Sequence, residues 1–152
     1  MGRYIPDMNE IHHLKADIRA WNQEIKDYEN DYTILSNQKK VLAQFSVVCE
    51  NNSYLIECLD SSIGNIENLS KEVNFTGFNE LFDFEELKSD KSLVGSFKNS
   101  NTNYITELEN LGKLIDNAQI DIADNIQKLQ NKIRTTEMRI NQLLYSPTIY
   151  TE

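Results

Sequence analysis

Apolar residues recur along the first third of the chain in alternating steps of three and four. Ile11, Leu14, Ile18, Trp21, Ile25, Tyr28, Tyr32 and Leu35 mark the pattern, and Leu42, Phe45 and Cys49 continue it past an interruption at Lys39. Such steps place successive side chains on one stripe of an α-helix, the heptad seam along which helices pack. Leu55, Leu59, Ile63, Ile66, Leu69 and Val73 follow at helical spacing. Asn51-Asn52-Ser53, between the two stretches, fits either a turn with Ser53 capping a new helix or a polar patch on one long helix. A long first arm over residues 8–73, with any kink at Asn51-Asn52-Ser53, is the favoured arrangement; if continuous it would span roughly 100 Å. Asp7 or Asn9 can cap its start, and Glu10 suits the positive end of the helix dipole.

The middle of the chain reads differently. Asn74-Phe75-Thr76-Gly77-Phe78-Asn79 combines turn formers with aromatics, and Phe82 and Phe84 follow. Ser89, Asp90, Ser92, Gly95 and the polar run from Lys98 to Asn103 dilute the helical signal, so an aromatic turn and a short helix (79–88) are expected within residues 74–103. Leu108, Leu111, Ile115, Ala118, Ile122, Ile126, Leu129, Ile133, Ile140 and Leu143 then predict a second arm over 104–145. Pro147 ends it by pushing the residue before it out of helical space, leaving a tail at 146–152. A stripe this long on a helix this polar must be covered by the other arm, by another chain, or by both. The expected fold is all-α: one domain over residues 1–152, an elongated antiparallel helical hairpin, or coiled-coil-like bundle.

Composition agrees. The 152 residues include only five Gly and two Pro, and both prolines lie near the ends, so nothing between them forbids a helix. The formal net charge of −9 leaves no basic footprint for nucleic acid or for an anionic membrane surface. No apolar run reaches the length that crosses a bilayer, so no membrane insertion is expected. Met1-Gly2-Arg3-Tyr4-Ile5-Pro6 lacks the apolar core of a signal peptide. These features predict a cytoplasmic protein, with any export by a route that needs no cleaved signal.

Candidate chemistry is sparse. Cys49 and Cys58 make neither a CxxC pair nor a zinc quartet, and on one helix they would stand about 13 Å apart, too far to bond. Buried or half-buried free thiols are expected, since free Cys behaves as a small hydrophobe. His12-His13 with Asp17 is weak as a metal set beside a solvated helix start. The carboxylates, Glu85-Glu86 and Glu107/Glu109 among them, read as solvated helix faces, and no phosphate loop or nucleophile–base arrangement is present. The reading is of a protein that binds other proteins and is not an enzyme, with no cofactor or metal. The aromatic segment Phe75, Phe78, Phe82 and Phe84 is either a plug closing the tip of a hairpin or an apolar surface for a partner.

Two helical arms flanking an aromatic-x-Gly turn, Phe75-Thr76-Gly77, resemble the WXG-like proteins of bacterial type VII secretion, and in particular the helper proteins encoded beside LXG toxins. Phe75 stands where that family has Trp, Phe82 matches an aromatic that follows the turn, and the segment from Ile133 to Leu143, with Glu137 and Arg139, looks like the helpers' final helix. Phe82-Asp83-Phe84-Glu85-Glu86 fits only a loosened form of the family's export signal. The resemblance implies an adaptor or targeting chaperone for the helical N-terminal domain of an LXG-type toxin, with that domain or a second helper as partner. Trp21, Ile25 and Tyr28 in the first arm and Phe75, Gly77, Phe78 and Phe82 at the turn would be the partner-binding residues. Alternatives are a self-associating structural coiled-coil protein of a phage or envelope and a toxin-neutralising immunity protein; a weak homodimer is compatible with the adaptor.

Overall fold

A computed structural model describes residues 5–72 and 84–145, and these form two long helices: α1, Met8–Glu72, and α2, Phe84–Tyr145. Among the described residues there is no strand, and the fold is all-α, a helical hairpin. Asp7 caps α1: its carboxylate accepts the Glu10 backbone N–H at 3.0 Å, and its carbonyl takes the first helical bond, from the Ile11 N–H, at 3.1 Å. A side-chain oxygen at this position satisfies an amide that the first turn leaves without a partner.

By packing, the chain divides into two compact units, Met1–Asn37 with Ile115–Glu152 and Gln38–Leu114. In the first unit the helices run antiparallel. Arg139 near the end of α2 pairs with Glu10 near the start of α1 at 3.2 Å, while Gln119 reaches Ser36. Its core is aliphatic, with Ile11 and Ile25 from α1 meeting the face of Ile115, Leu129 and Ile140 from α2.

The second unit is also an antiparallel pair. Glu67 of α1 bonds Lys91 of α2 at 3.1 Å, and further back along α1 the carbonyl of Cys49 meets Asn101. Ile63, Leu87 and Val94 form its buried cluster, with Ile56 packed against them. Asn101 is only 9% exposed. Its amide donates to the Cys49 carbonyl at 3.0 Å and to the Ser53 hydroxyl at 2.7 Å. That contact explains why Asn51-Asn52-Ser53 does not break α1: Ser53 turns inward to meet a polar partner, and the helix runs on.

The first unit repeats the device. The Gln119 amide donates to the Ser36 hydroxyl at 2.9 Å and to the Tyr32 carbonyl at 3.4 Å. In both cases an amide on α2 meets a carbonyl on α1 and a hydroxyl one turn later.

The second helix departs from expectation. It begins at Phe84 and not near residue 104, and residues 89–103 are helical throughout. The polar run does not interrupt it, because Leu87, Val94 and Asn101 stand seven apart and all face inward. The Thr102 and Thr106 hydroxyls donate to carbonyls four residues back in the same helix, at 2.9 and 3.1 Å, so they do not compete for the backbone from outside it. Residues 74–83, expected to hold the turn and the start of the short helix, lie outside the described residues.

Two substitutions test this packing by thermal or denaturant melts followed by circular dichroism. Asn101→Ala strands the Ser53 hydroxyl in the seam and is expected to lower the unfolding free energy by about 1–2 kcal/mol. Gly95 is exposed in mid-helix with nothing within 4 Å of an added Cβ. Gly95→Ala is therefore expected to raise stability by about 0.5–1 kcal/mol.

Candidate functional site

The inward seam of α1 in the second unit is Leu42, Ser46, Cys49, Ser53, Ile56, Ile63 and Glu67, all buried or half-buried and spaced by threes, fours and a seven. The larger apolar side chains lie elsewhere. One residue before these seam positions stand Val41, Phe45, Val48, Asn52, Leu55, Ser62 and Ile66, Leu59 continues the same heptad stripe, and every member is exposed. On α2 the inward positions Val94, Asn101, Ile105, Leu108 and Gly112 are shadowed in the same way by Leu93, Ser100, Tyr104, Glu107 and Leu111, and Phe97 and Leu114 continue that stripe.

Stepping back one residue turns a side chain about 100° around the helix axis. Because α1 and α2 run in opposite directions, that turn carries both stripes to the same side of the pair. A groove of about 270 Å³ lined by Asn52, Leu55, Ile56, Phe97, Ser100, Asn101 and Tyr104 joins them there. Phe45 is 57% exposed, Leu55 63%, Phe97 55% and Tyr104 62%. One side of the second unit is thus a continuous apolar face whose single charged stripe member is Glu107.

The corresponding positions of the first unit carry charge instead. On α1 they include Glu10, Asp17, Glu24, Asp27 and Asp31, and on α2 Lys128, Lys132 and Arg139. Arg139 meets Glu10 across the pair, and Lys132 lies 5.9 Å from the centre of the Trp21 ring, within cation–π reach. A groove of about 500 Å³ beside Trp21 is lined by Lys128, Asn131, Lys132, Thr135 and Thr136. This side is a solvated, cross-paired surface.

Of the residues expected to bind a partner, Ile25 is 8% exposed and is used in the hairpin's own seam. Trp21 and Tyr28 are half-buried on the same seam, with one side of Trp21 open to its groove. Phe75, Gly77, Phe78 and Phe82 lie outside the described residues. The apolar face of the second unit was not among the expected sites. Its signal was in the sequence: Leu55, Leu59 and Ile66 read as a continuation of the seam, whereas the seam passes through Ser53, Ile56 and Ile63.

Among the described residues no three His, Cys, Asp or Glu side chains are placed to hold a metal ion, and no helix is long and apolar enough to cross a membrane. Cys49 is buried and Cys58 exposed, both as free thiols. The exposure of Cys58 departs from the expectation of two shielded thiols, because Cys58 stands on the far side of the outer stripe from the seam. In dilute protein a thiol reagent such as Ellman's is expected to modify Cys58 promptly and Cys49 only as fast as the second unit opens, read as two phases that collapse to one in denaturant. Compared with protein families, curated proteins and solved structures, the chain finds no match.

Proposed function

We propose that this chain is a protein-binding adaptor that adds its hairpin to the helices of a partner, in the manner of the helpers of LXG toxins. The observation that carries the reading is the apolar face of the second unit, where Phe45, Leu55, Leu59, Phe97 and Tyr104 are exposed side by side. Exposed contiguous apolar surface of this extent marks an interaction site on a folded chain. Its heptad spacing on both helices suits the knobs-into-holes packing of added helices. The partner is the helical N-terminal targeting domain of an LXG-type toxin, kept soluble by having its own apolar stripe covered until export.

The low charge of the face favours this reading over toxin neutralisation, in which acidic side chains would meet a basic toxin domain.

Co-expression with the helical targeting domain of an LXG-type toxin tests the proposal. A stoichiometric complex is expected, and Phe45→Glu with Leu59→Glu should weaken it at least tenfold in a titration while leaving helicity unchanged. No complex with the wild-type chain, or one indifferent to these substitutions, would refute the adaptor.

A further inference from the structure

We infer that the apolar face of the second unit closes onto the same face of a second copy, giving a reversible dimer whose core is a four-helix bundle. The inference rests on reading this face as a docking surface, and it adds an occupant for the chain on its own.

Size supports it. Val41 to Ile66 on α1 extends about 38 Å and Leu93 to Leu114 on α2 about 32 Å along the axis. Two helices packed at the usual spacing of about 9 Å present a width of about 20 Å, so the face projects to about 700 Å². Stable complexes bury about 800 Å² of accessible surface on each partner. Accessible area exceeds projected area, so the face is of the size a dimer needs.

Shape and charge support it too. Both helices carry the same seven-residue spacing, so a two-fold axis in the plane of the face sets each stripe against a stripe of matching period, as an isologous interface requires. A chain with a net charge of −9 repels its copy wherever acidic surfaces meet. The second unit's face carries little of that charge, Glu107 being its one acidic stripe member: on α1 its flanking residues are Gln44, Asn51, Cys58 and Asn65, and Glu50 and Glu57 fall on the opposite side. In the first unit the equivalent positions carry Glu10, Asp17, Glu24, Asp27 and Asp31 on α1 and Lys128, Lys132 and Arg139 on α2, so a pairing there would desolvate charge in place of apolar surface.

Sedimentation equilibrium of the full chain across micromolar to submillimolar concentration tests the inference. The expected mass rises from 17.7 kDa towards twice that value. Asn52→Arg with Ser100→Arg places charge on the face at exposed polar positions and should hold the chain at the monomer mass with unchanged helicity. Tyr54→Glu, on the outer side of α1, should leave the dimer intact, and Phe97→Glu is an independent second disruption. A wild-type monomer at every concentration would overturn the inference, as would a dimer that survives both disruptions. A monomer that still captures the toxin domain would remove the dimer and leave the adaptor; a dimer that no toxin domain engages would do the reverse.

Discussion

Two helices laid side by side share one seam, and one seam covers about a third of each helix's circumference. Every other apolar side chain stays in water unless a further element arrives. This limit governs the molecule. In the first unit the sequence respects it, confining Ile11, Ile25, Ile115, Leu129 and Ile140 to the seam and surrounding them with charge. In the second unit the sequence leaves large apolar residues such as Phe45, Leu55 and Phe97 outside the seam and mixes Ser46, Cys49, Ser53, Asn101 and Gly112 into a seam that also holds Leu42, Ile56, Ile63, Leu87 and Val94. Burial of apolar area is the main favourable term in folding. A unit that leaves Phe45, Leu55 and Phe97 outside is using a smaller share of it than its composition provides.

The two units also divide the electrostatics. In the first unit charged side chains pair both across the helices, as Glu10 with Arg139, and along α2, as Asp124 with Lys128, while Trp21 receives Lys132 on its ring. Exposed pairs of this kind add little stability each. Their larger effect is to keep that surface hydrated, whereas the exposed stripes of the second unit are mostly apolar.

Much of the architecture was legible in the residues. The heptad steps from Ile11 to Leu35 and from Ile115 to Leu143 announce helices, and the scarcity of Gly and Pro leaves little else to build. What the residues left open was which apolar positions the hairpin itself covers and which stay outside it. Around residue 40 the large side chains move back one place in the heptad while the seam keeps its register through small polar residues, a change visible only once Asn101 is seen bonded to Ser53. The helicity of residues 89–103 was hard to read because a seam built on Val94 and Asn101 gives a weak periodic signal. The exposed apolar stripe was thus present in the sequence but not separable from the seam beside it.

The two amide clasps have a consequence for how the hairpin can go wrong. A heptad repeat looks the same after a shift of seven residues, so one helix can slide about 10.5 Å along the other and still set apolar against apolar. Asn101 alone does not remove that degeneracy, because Leu42 and Ser46, seven residues before Cys49 and Ser53, would offer its amide a carbonyl and a hydroxyl again. The Gln119 clasp has no such repeat: seven residues either side of Ser36 stand Glu29 and Ala43. The Ser36 hydroxyl is thereby the partner that marks the native register, since losing it leaves the amide a poorer set of bonds. A partner that pressed on the neighbouring face could change what the apolar side chains touch without shifting the helices out of step.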